Sequence, residues 1–210
     1  MKRIFAAVFI FFVLVGITFN AHAAKPKVYI KKYKNGQYRL FVKNKPFIIK
    51  GVCYNPVPIG QNHEYDLFSD PNKPWIIDGK LMKEMGINTV RFYSIGDNAE
   101  GVRQVIRDLY RLYGIRTILG HWLGFWEYPC PRYTDKDFQD KIKNEVLNMV
   151  NLYKDEDGLL FWILGNENNY SFSGQINPWS NEEIDKETDP AKQRLMRARI
   201  YYSFVNDLAR

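Results

Sequence analysis

Three times along this 210-residue chain, a stripe of apolar residues at helical spacing runs into a glycine and then directly into an apolar strand. The stripes are Ile77, Leu81 and Met85; then Val102, Val105, Ile106 and Leu109; then Phe138, Ile142, Val146, Met149, Val150 and Tyr153. Gly86 leads into Ile87 to Tyr93, Gly114 into Ile115 to His121, and Gly158 into Leu159 to Gly165. Glycine at a helix C-terminus followed by a buried strand is the expected punctuation of a helix-to-strand joint. An earlier, mostly apolar run from Phe47 to Tyr54 ends in Asn55-Pro56 and predicts a buried strand, and Thr188-Asp189-Pro190 opens a further helix through Leu195, Met196, Ile200, Phe204 and Leu208. Strand and helix in alternation predict an α/β fold with a parallel sheet and right-handed crossovers. A doubly wound sheet and a β/α barrel both fit. No glycine-rich phosphate loop follows any strand, which weakens the first.

Ahead of this pattern, Tyr29 to Tyr33 and Tyr38 to Val42 flank Asn35-Gly36, a strong signal for a β-hairpin. At the very start, Lys2 and Arg3, an apolar run from Ile4 to Phe19 and Ala21-His22-Ala23 follow the order of a secretory signal over residues 1–23. Export to a periplasmic or extracellular location is expected, with no stable membrane anchor after cleavage. The alternative is an uncleaved anchor, though the apolar run is shorter than the roughly 18 residues of a spanning helix. Cleavage would take away two of the 30 basic residues and none of the 23 acidic ones, lowering the formal charge from +7 to +5. The remaining lysines, Lys25, Lys27, Lys31, Lys32, Lys34 and Lys43, are spread over a strand-like opening. They read as edge residues that discourage strand aggregation, and nucleic acid is a poor partner for them. The organisation expected is a leader (1–23), a hairpin (24–44) and a β/α region (45–210).

Cys53 and Cys130 are too few for a disulfide scaffold and too far apart for a metal pair, although an oxidising compartment would permit a bridge between them. No spaced His or Cys set suggests a metal, no cofactor motif appears, and no Gly-x-Ser-x-Gly elbow is present.

Chemistry in a barrel sits at the C-terminal ends of the strands. Those ends read Tyr54-Asn55, Arg91-Phe92-Tyr93, His121-Trp122 and Gly165-Asn166-Glu167-Asn168-Asn169. Glu167 follows a very apolar strand, where partial desolvation would favour proton donation; otherwise Asn-Glu simply starts a polar loop. Strict alternation sends Asn166 and Glu167 to opposite faces, so both reach one site only if the strand ends or bulges there. Arg91 needs a carboxylate or backbone oxygen as partner, either to orient a catalytic carboxylate or as a structural ion pair. His121 is a candidate for a substrate or acid/base hydrogen bond, although a lone histidine at a strand end is more often structural. Trp122, Trp126, Tyr128, Tyr133, Tyr170, Phe172 and Trp179 crowd two loops, where rings either stack on sugars or pack on themselves.

The run Leu160 to Asn168, ending Gly165-Asn166-Glu167, resembles the fourth-strand motif of glycoside hydrolase clan A barrels, most closely family 2. Phe47 to Asn55 resembles the first barrel strand of that group and Asn88 to Tyr93 the second, with Arg91 in the matching place. The resemblance spans roughly Lys45 to Tyr170. It implies a (β/α)8 barrel and retaining hydrolysis or transglycosylation of a β-linked sugar, with no metal or organic cofactor. Glu167 would be the acid/base and Asn166 the holder of the hydroxyl beside the reacting carbon. Arg91, His121, Tyr54, Trp122, Trp126, Asn169 and Tyr170 would line the substrate site. The nucleophile of such barrels lies on a seventh strand, and retaining chemistry needs two carboxyl groups about 5 to 5.5 Å apart. The chain therefore reads as the first half of a barrel, a truncated product or gene fragment, with little hydrolysis expected of it alone. The β-sandwich domains that usually precede a family 2 barrel are missing, which leaves β-glucanosyltransferase-like barrels in view. A non-catalytic carbohydrate-binding or structural half-barrel is the reading from another class.

Overall fold

The computed structural model describes residues 27–210, so the leader expected over 1–23 lies outside the described residues. The chain divides between Pro46 and Phe47 into two compact units. The first holds three antiparallel strands, β1 (Val28–Lys32), β2 (Tyr38–Val42) and β3 (Lys45–Pro46), in that order. Gly36, at φ 82°, closes the turn between β1 and β2 by donating its N–H to the Tyr33 carbonyl at 2.9 Å. Tyr29 and Phe41, opposite one another, stack at 5.1 Å.

The second unit is α/β. Its strands β4 (Gly51–Cys53), β5 (Thr89–Phe92), β6 (Arg116–His121) and β7 (Leu159–Leu164) form one parallel sheet in chain order. Five helices accompany it: α1 (Pro74–Glu84), α2 (Ala99–Tyr113), α3 (Lys136–Tyr153), the short α4 (Glu182–Lys186) and α5 (Pro190–Leu208). Their starts are written locally. Pro74 and Pro190 occupy the first turns of α1 and α5, while the side chains of Asn98, Asp135 and Asp189 accept from free N–H groups of α2, α3 and α5. Gly114 ends α2 in the left-handed conformation that glycine tolerates best. Gly158 differs: α3 has ended at Tyr153, and a Cβ on Gly158 would stand 2.8 Å from the Ile106 carbonyl, so this glycine admits a close approach of α2.

Val90, Phe92 and Leu119 of the sheet pack against Trp75 and Met82 of α1, Val102, Val105, Ile106 and Leu109 of α2, and Met149 and Tyr153 of α3. Each such side chain, fully buried, contributes about 1.5 to 3 kcal/mol. A second cluster joins Leu123, Tyr133, Phe138, Ile142, Phe172, Trp179, Tyr201 and Phe204.

Two expectations are corrected. The strand expected over 47–54 is only Gly51–Cys53, and it is largely exposed. It is an edge strand with one partner, and the Asn88 side chain takes over the backbone before it, accepting from Lys50 N and donating to Ile48 O. The stripe Ile77, Leu81 and Met85 is the exposed face of α1, at 69%, 52% and 74%. The buried face is Trp75, Gly79 and Met82, because Gly79 lets the Tyr113 ring lie against the helix. Cys53 and Cys130 are both free thiols. Among the described residues, no helix is long and apolar enough to cross a membrane.

Candidate active site at the C-terminal end of the sheet

Side chains alternate along a strand, so the core positions reveal what faces the other way. Val90 and Phe92 lie in the helix-packed core, which turns Arg91 and Tyr93 to the opposite face. Leu119 does the same for Gly120 and Trp122, and Cys53 sits beside Arg91 in the parallel register. That face thus collects Cys53, Arg91, Tyr93 and Trp122 at one end of the sheet. The Tyr93 and Trp122 rings stack at 6.2 Å, and the Arg91 guanidinium lies 4.6 Å from the Tyr93 ring centre. Contact with the Cys53 thiol holds the Tyr93 hydroxyl above the usual tyrosine range, with burial and the Glu167 carboxylate adding to it and Arg91 opposing.

The next strand, β7, ends at Leu164. Gly165 has φ 90° and Glu167 φ 57°, so extended backbone stops after Leu164 and alternation no longer separates Asn166 from Glu167. Asn166 turns to Arg91, whose Nη2 donates to Asn166 Oδ1 at 2.8 Å. Arg91 therefore has an amide for its partner, not the carboxylate or backbone oxygen expected, and its buried Nε has no partner among the described residues. Asn168 holds the turn from beneath: its Oδ1 accepts from Asn166 N at 2.7 Å, while its Nδ2 donates to Trp122 O and Tyr133 Oη at 3.1 and 2.9 Å. No expectation singled out this residue. Its role depends on Trp122 and Tyr133, which local spacing does not report.

Glu167 is exposed, so the burial expected around its carboxylate is absent. The side chain accepts no hydrogen bond and forms no ion pair among the described residues, yet it lies within electrostatic reach of Tyr93. It also borders a cleft of about 180 Å³ with Asn169 and with Tyr201 and Tyr202 of α5.

Two candidates face the helices instead. Tyr54 is buried, and its hydroxyl donates to Asp78 of α1 at 2.7 Å; burial, then this bond, raises the phenol above its usual range. His121 shares the face of Leu119. Its Nδ1 accepts from Leu123 N at 3.0 Å, and its Nε2 lies 3.5 Å from Glu145 of α3. Burial lowers the imidazole below its ordinary range despite that carboxylate, which is itself half exposed and well solvated. Of the loop rings, Tyr133, Phe172 and Trp179 belong to the second core, whereas Trp126, Tyr128 and Tyr170 remain exposed and Trp122 is half-buried.

Three clefts are larger than the one at Glu167. One of about 320 Å³ lies between the loops after β4 and β5, one of about 390 Å³ lies behind His121 against α3, and one of about 420 Å³ lies between α2 and the turn before β7. None of the three is lined by Asn166 or Glu167, so size does not identify the site here. No group of three or more His, Cys, Asp or Glu side chains suited to a metal ion occurs among the described residues. Comparison with protein-family models and with curated proteins gave no match.

Proposed function

We infer that this chain contributes the acid/base half of a glycoside hydrolase barrel acting on β-linked sugars with retention. One observation carries the reading: β7 stops at Gly165, so Asn166 meets Arg91 while Glu167 stays open to solvent at the same sheet end. The strand order supports a barrel over a doubly wound sheet, since β4 to β7 follow the chain with no reversal.

In this mechanism Glu167 protonates the departing glycosidic oxygen and then, as carboxylate, takes a proton from the attacking water. Asn166, anchored through its Oδ1, keeps its amide nitrogen for the hydroxyl next to the reacting carbon. Trp122, stacked on Tyr93, offers a ring edge to the sugar. The nucleophilic carboxylate belongs to a later strand of such a barrel, beyond the four parallel strands of this sheet. Export to a periplasmic or extracellular compartment fits the leader-like order of residues 1–23.

The test is the Glu167→Gln variant of the full-length gene product, assayed on aryl β-glycosides of graded leaving-group ability. Turnover should fall by a factor of about 10² to 10⁴ for poor leaving groups and much less for good ones. Equal loss on both would remove Glu167 from the acid role.

Exposed Trp126 and Tyr128, at 62% and 92%, favour carbohydrate binding without chemistry as a second reading. In that case oligosaccharide titration would give the same affinity before and after Glu167→Gln, with no turnover in either protein.

A further inference from the structure

All 23 acidic side chains follow position 63, whereas ten of the 30 basic ones stand at or before Lys45. Residues 47–210 carry 20 basic against 23 acidic groups. The antiparallel sheet of β1 to β3 carries Lys31, Lys32, Lys34, Arg39 and Lys45 without one carboxylate of its own. Edge protection asks for a few lysines and does not require acids to be missing throughout.

What lies between the cations identifies the partner. Lys31 Nζ and Arg39 Cζ stand 5.2 and 5.4 Å from the Tyr33 ring centre, and Lys32 Nζ stands 5.5 Å from that of Tyr38. None of these three cations forms an ion pair with a described residue. Ile30 faces Leu40 and Lys32 faces Tyr38 in register, which puts Ile30, Lys32 and Tyr38 on one face of the sheet, with Ile30 and Tyr38 68% and 62% exposed, and Lys31 and Arg39 on the other. A hydrated polyanion would use the cations and leave Ile30 in water. A bilayer surface uses both: anionic headgroups meet the cations, while an aliphatic side chain and a tyrosine ring settle at the headgroup boundary.

We propose that one face of the β1–β2 sheet is a docking surface for anionic phospholipid, entered by Ile30 and Tyr38 and held by Lys32 of that face and Lys34 of the turn. It involves none of the residues around Glu167 and stands or falls separately from the glycosidase reading.

The full chain is sedimented with vesicles of phosphatidylcholine, with and without phosphatidylglycerol, and the ratio of the two dissociation constants is read. That ratio cancels the apolar contribution of residues 4–19, which is common to both lipids. Neutralising Lys32 and Lys34 together by Lys→Gln should lower the ratio by about fivefold per cation, on the order of 25-fold in all. Arg39→Gln, on the reverse face, should change it far less. Ile30→Ser should weaken binding to anionic vesicles severalfold and leave retention on immobilised polygalacturonate unchanged. Far-UV circular dichroism matching the parent establishes that each variant is folded. An unchanged ratio in the Lys32 and Lys34 variant overturns the proposal, and so does a loss from Arg39→Gln as large as the loss per lysine. So does vesicle binding that ignores Ile30→Ser and is abolished by soluble polygalacturonate, which would make the sheet a clamp for acidic polysaccharide.

Discussion

Arg91 on β5 reaches across the end of β6 to donate from Nη2 to Asn166 Oδ1, 2.8 Å away. Its Nε is buried without a partner among the described residues, so the guanidinium is already short of acceptors. Asn166→Ala removes the acceptor it has and should cost about 1 to 3 kcal/mol in chemical denaturation. Asn166→Asp keeps an oxygen there and adds a charge, and it should recover most of that loss. Equal loss in both variants would mean that the guanidinium does not depend on this bond.

Gly120 lies beneath the turn of the chain out of β5. A Cβ at this position would stand 2.6 Å from the Tyr93 carbonyl oxygen and 2.8 Å from that of Phe92. Backbone cannot swing aside as a side chain does, so Gly120→Ala should destabilise by about 1 to 3 kcal/mol and shift the fluorescence of the adjoining Trp122. A variant with parent stability and parent emission would show that β5 and β6 can separate there freely.

His121 sets an acid limit on stability. Burial depresses its folded pKa, so the unfolded chain binds the proton more readily. The contribution is complete above the unfolded histidine value of about 6.5 and drains away as pH falls through the lower folded value. Urea midpoints should decline below about pH 6.5, and His121→Gln should flatten that part of the profile.

Tyrosine sets the alkaline limit. Burial raises the phenols of Tyr133 and Tyr201 far above their ordinary range. Above about pH 10 the unfolded chain ionises while the folded chain resists, so stability falls as pH rises. The slope reaches about 1.4 kcal/mol per pH unit for each phenol. Tyr201→Phe should remove one such contribution, visible as a shallower alkaline decline in urea midpoints.

The parts of this fold written in short-range spacing were legible. The α2 and α3 stripes are buried nearly as read, and the caps at Asn98, Asp135 and Asp189 stand where the residue types imply. On α1, two faces compete at the same apolar spacing. What decides between them is the fit of Tyr113 against Gly79, a contact that hydropathy does not register. Tyr54 and His121 sit at strand ends as expected, but strand parity gives them to the helices. Proximity to a strand end was legible; the face was not, until the register with Phe92 and Leu119 fixed it. Asn168 binds Tyr133, 35 positions away, and only the folded chain brings the two together.

Odd and even positions of the same few strands answer to different demands. Val90, Phe92 and Leu119 hold the molecule together, while Arg91, Tyr93 and Trp122 beside them face outward from that packing. Variation at the exposed positions Trp126, Tyr128, Asn169 and Tyr170 can therefore reshape this sheet end with little disturbance of either core. Such a scaffold can change its face while keeping its skeleton.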